Sequence, residues 1–426
     1  MTTREPANTA SSAMTDVMPE SRADVIVAGG GLVGASLALA LAGCGFDVEL
    51  VESLPFGSSE QPSFDERTTA ISNGTRRVFE ALGVWPLMAR AATPIRRIHV
   101  SDRGRFGFAR IDAAEQGVHA LGYVLPNRVM GAALWRRLEQ TRVRVLAPAR
   151  ITGSTVEPDY RSLAVQLADR DDELRARLVI AADGTRSVVR ETAGVGASTW
   201  EYDQTAVVTN VATQRFHDYV AYERFTDTGP IAVLPLSDGR CGIVWTLTPQ
   251  RASDVMALPD EQFTAELQEA FGQRLGRFVK VGVRHAYPLA LTRADEHIAS
   301  RLAVVGNAAQ GLHPIAGQGF NLGLRDAASL AEVLVDAHRE LGAAFDPGSP
   351  QVLERYRSWR LEDRKRIVAF TDGLVRAFSN PFGPVKLFRN LGMLLFDLSP
   401  GAKRALSRLS LGAAGRVPRL ARGAPL

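Results

Sequence analysis

The feature that most constrains this chain is Gly29-Gly30-Gly31-Leu32-Val33-Gly34, a Gly-x-Gly-x-x-Gly run set between a strand pattern and a helix pattern. Before it, Ala23 to Ala28 reads Ala-Asp-Val-Ile-Val-Ala; after it, Leu32 to Ala42 is small and aliphatic. Phe46 to Val51 gives a second strand ending at Glu52, 18 positions after Gly34. Parallel strands need a crossover connection, so the segment is predicted to be a βαβ unit. Gly29 would permit the tight turn, Gly31 the approach of a pyrophosphate, and Gly34 close packing of helix on sheet. Backbone amides and the helix dipole then face the phosphates. A carboxylate at Glu52 suits ribose hydroxyls and disfavours a 2′-phosphate, which speaks against NADP as the resident ligand. Taken alone the run is a weak signal, and a structural glycine turn is the alternative.

Two further stretches repeat the theme of a buried strand running into a glycine turn. Arg177 to Ala182 leads into Asp183-Gly184-Thr185-Arg186-Ser187-Val188-Val189-Arg190. The plain alternative there is a strand terminator, with Arg190 a solvated helix residue. Arg301 to Val305 leads into Gly306-Asn307-Ala308-Ala309, followed by His313-Pro314-Ile315-Ala316-Gly317-Gln318-Gly319-Phe320-Asn321-Leu322-Gly323. Gly317 and Gly319 are predicted to open a helix through a segment of bare backbone amides. Such an end carries about half a positive charge, matching the anionic N1–C2 edge of a reduced flavin.

Between these motifs, Thr205 to Thr213, His217 to Thr226, Pro230 to Leu236 and Cys241 to Thr248 are rich in β-branched and aromatic residues. Ser237-Asp238-Gly239-Arg240 is a hairpin signal, so an inserted antiparallel sheet is expected. Leu324 to Leu341 and Gln351 to Ser379 read as helices. The 426 residues exceed one typical folding unit. The expected division is a disordered tail at 1–22, a discontinuous nucleotide-binding domain at 23–95, 123–195 and 292–345, a substrate domain at 96–122 and 196–291, and C-terminal helices with a basic tail at 346–426.

Composition excludes several classes. Cys44 and Cys241 are too few for a disulfide framework or a cysteine metal cluster, and point to a reducing, cytoplasmic setting. The seven histidines show no metal-ligand spacing, so no metal is expected. No apolar run is long enough to span a bilayer. The net charge of +4 is concentrated beyond Pro384, in Lys386, Arg389, Lys403, Arg404, Arg408, Arg416, Arg419 and Arg422. With no nucleic-acid signature alongside, that tail and the apolar stretch Val385 to Phe396 raise peripheral contact with the inner face of a membrane. The alternative is a helix packed on the body with a solvated tail.

The three motifs together resemble the single-component FAD-dependent aromatic hydroxylases. Asp65-Glu66-Arg67-Thr68-Thr69-Ala70-Ile71 and His313 to Gly323 resemble in particular the ubiquinone-biosynthesis branch. The resemblance runs from about Ala23 to Asn380, and the third motif is its most specific part. It implies an α/β FAD-binding Rossmann-like domain of the glutathione reductase and p-hydroxybenzoate hydroxylase type, with an inserted antiparallel substrate sheet and a helical C-terminal region. It implies tightly bound, non-covalent FAD, with NAD(P)H as a transient co-substrate and O2 as oxidant. Glu52 would hold the adenosine ribose, while Arg67 and Arg128 would lie along the FAD. Asp183 and Gly184 would lie near the dinucleotide, with Gly306 and Asn307 beside the ribityl chain. Pro314 would border the substrate, and Gly317, Gln318, Gly319, Phe320 and Asn321 would lie under the flavin ring. Most of the superfamily has aspartate where Asn307 stands. Asparagine keeps a hydrogen bond but removes a charge, and it is similar to the polyprenyl-methoxyphenol hydroxylases.

The implied activity is hydroxylation of a polyprenylated phenol through a flavin C4a-hydroperoxide, with other ubiquinone-biosynthesis proteins as partners. A phenol with a pKa near 10 is a better nucleophile when ionised, so a base is expected. His313 is the first candidate, against a role confined to shaping the loop before Pro314. Two rivals stay open: a hydroxylase of a soluble aromatic acid, held by Arg224 or Arg284, and a non-catalytic flavoprotein scaffold.

Overall fold

The computed structural model describes residues 22–58, 67–105, 107–311, 318–361, 365, 399 and 415–426. Leu302–Val304, Asp171–Ala181, Ala23–Ala28, Val48–Val51 and Arg144–Leu146 form five neighbouring strands, all parallel. Their apolar runs follow from burial on both faces. Val25 and Val27 enter one core with the helices, whereas Ile26 and Ala28 enter the other with Leu163, Val165 and Leu174. Those three residues belong to an antiparallel meander, Arg150–Val156, Arg161–Gln166 and the first half of Asp171–Ala181, which covers the second face. Helix Leu32–Ala42 is buried from Gly34 to Leu41, as its uniformly apolar sequence requires. It lies between the sheet and the long helix Gln318–Leu341.

A second sheet runs Gln310–Gly311, His285–Ala294, Ala197–Thr213, Cys241–Leu247, Pro230–Pro235, Val220–Phe225, Arg97–Asp102, Phe108–Asp112. One face packs on helices Pro249–Ala257 and Asp260–Phe271 through Val207, Ile231, Ile243, Trp245, Phe263 and Phe271. A three-stranded sheet, Thr68–Ser72, Gly122–Pro126 and Thr93–Ile95, sits on part of the other face, with Ile95 and Val124 against Ala221 and Leu236. The hairpin at Ser237–Arg240 closes as its glycine predicted: Gly239 has φ +79° and its amide donates to Leu236 O.

Of the basic residues beyond Pro384, Arg416, Arg419 and Arg422 are described; Arg422 is exposed, while Arg416 and Arg419 engage the body of the protein. Arg416 lies 3.8 Å from the Trp359 ring, Arg419 pairs with Glu332 and Asp336, and Leu420 and Ala421 are buried. Beneath this clamp Arg360 and Asp326, both wholly buried, pair at 2.7 Å. Residues 1–21 and the stretch Val385 to Phe396 lie outside the described residues. Among the described residues no helix is long and apolar enough to cross a membrane.

Candidate active site

The three glycine motifs meet at the carboxyl ends of the parallel strands, and the distances explain the glycines. Gly29 has φ +103°, and a Cβ there would stand 2.5 Å from Ala182 O and 2.9 Å from Asp183 Cα. A Cβ on Gly34 would stand 1.9 Å from Gly29 O. The first and second motifs are therefore in backbone contact. A Cβ on Gly306 would press on Val33 at 3.3 Å, and one on Gly323 would stand 3.0 Å from Gly306 Cα. This joins the first motif to the third. The second and third are joined by Arg190, which donates to Thr185 O at 3.1 Å and Ala308 O at 2.9 Å. Arg190 is thus a buried link and not the solvated residue that its helical position allowed.

Those remaining sequence-predicted residues that are described have a definite place. Gly31 is the N-cap of helix Leu32–Ala42, with no side-chain cap and no acid in the first turn. That end keeps its positive pole for an anion. Glu52 is buried just past Val48–Val51, where Oε2 accepts from Gly30 N at 2.8 Å and Oε1 from Leu54 N at 2.9 Å. A carboxylate offers about four acceptor positions, so capacity remains for a ribose hydroxyl. Trp135, which sequence reading passed over, closes this corner by donating from Nε1 to Gly30 O at 3.1 Å.

Arg67 and Arg128 come to one end of the small sheet, since Asn127 N donates to Arg67 O at 2.8 Å. The Arg67 guanidinium lies 5.1 Å from the ring of Tyr287, which belongs to the larger sheet. Arg128 is exposed in the first turn of helix Asn127–Leu138. Asp183 turns toward its own loop, accepting from the Ser187 hydroxyl and from Val189 N at 3.3 Å. Burial pushes its carboxyl above the ordinary range, against the pull of those bonds. Gly184 has φ +88°, a conformation that favours glycine.

Asn307 is exposed between buried Gly306 and Ala308. Gly319 opens the long helix, and Phe320 stacks on Phe79 with centroids 6.2 Å apart. The Asn321 amide is committed to the small sheet: Oδ1 accepts from Ser72 N at 2.8 Å and Thr75 Oγ1 at 2.7 Å, and Nδ2 donates to Ala70 O at 3.0 Å. Asn321 therefore ties the helix start to the small sheet. His313, Pro314, Gly317 and the side chain of Gln318 lie outside the described residues.

Arg224 and Arg284, the arginines considered for an aromatic acid, both point into the helix layer. Arg224 donates to Phe271 O; Arg284 donates to Leu258 O at 2.7 Å and lies 4.9 Å from the Phe263 ring.

The glycine cradle, the uncapped helix end and the buried strand-end acid fit a flavin dinucleotide, and comparison with known proteins agrees. The family model described as "FAD binding domain" matches residues 22–371. The chain is 42% identical over 409 residues to ubiquinone hydroxylase UbiL of Rhodospirillum rubrum, covering 95% of this chain and 94% of that one. It is 34% identical to 3-demethoxyubiquinol 3-hydroxylase of Escherichia coli, covering 93% and 100%. Among solved structures, p-nitrophenol 4-monooxygenase PnpA of Pseudomonas putida superposes with a TM-score of 0.77 at 22% identity, covering 93% and 100%. This last match concerns the fold.

Proposed function

Because the chain belongs to the FAD-binding-domain family, in its ubiquinone-hydroxylase branch, we propose that it hydroxylates the ring of a polyprenylated phenol in ubiquinone biosynthesis, using NAD(P)H and O2. The observation that carries this reading is the meeting of Gly29, Asp183 and Gly306 around the start of one helix, at the strand ends where open α/β sheets bind ligands. FAD, when bound, supplies reduction by NAD(P)H and activation of O2. The protein binds, orients and excludes water.

In this reading Gly29, Gly31, Gly34 and Glu52 hold the adenosine and pyrophosphate, and Arg67 and Arg128 flank the dinucleotide. Gly184, Gly306 and Asn307 border the ribityl chain, and the backbone of Gly319 to Asn321 underlies the ring. Asp183 acts by fixing the loop that carries Gly184. An apolar phenol is favoured over an aromatic acid because Arg224 and Arg284 face away from the flavin side of the sheet. Contact with a membrane surface, where such a substrate resides, belongs to the same proposal.

The test is NAD(P)H oxidation by the FAD-loaded enzyme with short-chain prenylated methoxyphenols, compared with hydroxybenzoates. Stimulation by the prenylated phenols alone is expected. Stimulation by hydroxybenzoates alone would overturn the substrate assignment.

A further inference from the structure

Strand register identifies a row on the side of the large sheet that carries the small sheet. Glu223 stands opposite Val100 on one side and Ala232 on the other, Ala232 opposite Val244, and Val244 opposite Val208. The neighbouring residues Tyr222 and Arg224 point into the helix layer, where the Tyr222 and Phe271 rings meet at 5.6 Å. Side chains alternate along a strand, so Glu223 points the other way, with Ala221. Ala221 is roofed by Ile95 and Val124 of the small sheet. One row further, burial drops. Along this row the five residues from Val100 to Val208 are only half-buried, between buried Ala109 at one end and exposed His285 at the other, whereas Val207, Ile231 and Ile243 on the opposite face are fully buried. The next row ends at Tyr287 beneath Arg67.

Glu223 is the one acid in this row, and it has no hydrogen bond or ion pair with any described residue. It is crowded by protein yet keeps some exposure to solvent. Other charged or titratable groups on that face are Asp102, Arg67, His285, Tyr287 and, at the far edge, Arg293. None pairs with it, and burial alone raises its pKa to about 7. A carboxylate without a partner is destabilising, and such groups concentrate where a ligand completes them.

We propose, resting on the hydroxylase reading, that Glu223 accepts the proton of the substrate's ring hydroxyl and that the apolar row beside it is the floor for the ring. In that step the phenolic O–H bond breaks, its electron pair stays on the ring oxygen, and a carboxylic O–H bond forms on Glu223. The proton leaves to solvent when the product departs. A base whose pKa lies close to the working pH is the effective choice for a phenol of pKa near 10.

The experiment uses the full chain loaded with FAD, a short-chain prenylated methoxyphenol, and the variants Glu223→Gln and Glu223→Asp. Retained FAD stoichiometry and a melting temperature no lower than that of wild type establish that each variant folds. The wild type is expected to lose kcat/KM about tenfold per pH unit below pH ~7. Glu223→Gln should lower kcat about 10²-fold and abolish that limb of the profile, with KM nearly unchanged. Glu223→Asp should restore part of each. A Gln variant in a working enzyme that keeps the wild-type pH profile overturns the assignment. A wild type that neither binds nor turns over prenylated phenols overturns the hydroxylase reading, and this inference with it.

Discussion

Arg190, 3% exposed, donates from Nη1 to the carbonyl oxygen of Ala308 at 2.9 Å. This bond ties the Asp183 turn to the loop of Asn307, two strand ends that lie 118 residues apart between donor and acceptor. Arg190→Ala leaves two carbonyls without their donor, each costing about 1–3 kcal/mol if it stays dry. Urea unfolding should show a loss of about 2–4 kcal/mol, and FAD titration an affinity at least tenfold weaker. Wild-type affinity in Arg190→Ala would show that the loops hold their geometry without it.

Gly34 is fixed by the 1.9 Å that would separate its Cβ from Gly29 O. Gly34→Ala must push the helix from the strand end, so FAD affinity should fall more than tenfold, with about 1–3 kcal/mol of stability lost to overpacking. Gly43→Ala in the same helix is the control. It has an ordinary φ of −63° and nothing closer than 3.3 Å to its added Cβ, so both quantities should stay near wild type.

Asn321 separates positioning from ligand contact. Asn321→Asp keeps an acceptor for Ser72 and Thr75 but sets an oxygen against Ala70 O. Thermal unfolding should show both Asn321→Asp and Asn321→Ala destabilised, by about 1–3 kcal/mol. The spectrum of FAD bound to the surviving folded protein should be unchanged. An altered flavin spectrum at full stability would assign the side chain to the cofactor instead.

Glu223 makes a pH-dependent prediction whose sign follows from its pKa, raised by burial from the ordinary 4.5 to about 7. The native state holds the proton more tightly, so the carboxyl costs nothing below pH ~4.5 and its full amount above pH ~7. Glu223→Gln should therefore match wild type at pH 4.5 and exceed it at pH 8 by about 1–3 kcal/mol. Equal stability at both pH values would mean that the carboxylate has a partner in solution.

What the sequence made legible was local. The βαβ unit stood out because both faces of Ala23–Ala28 are buried, leaving an uninterrupted apolar run. Each glycine turn followed its own strand. Links between turns were not legible, because the burial of Arg190 is set by Ala308 and the commitment of Asn321 by Ser72. Strand Ala197–Thr213 was foreseen only from Thr205. Its first five residues leave the core, and a bulge between Glu201 and Gln204 breaks the alternation. Strand His285–Ala294 escaped notice because its side chains are mostly accessible and Pro288 interrupts it. Glu223 sat within a segment read as a strand, but nothing local told which face it took. That emerged from register across four neighbouring strands.

The most direct test of the account is mass spectrometry of the product formed under 18O2 by the FAD-loaded protein with NAD(P)H and a short-chain prenylated methoxyphenol. The account predicts a product heavier by one 18O atom on the ring, dependent on both NAD(P)H and O2. Bound FAD with NAD(P)H consumed but no labelled ring oxygen on any prenylated phenol would contradict it.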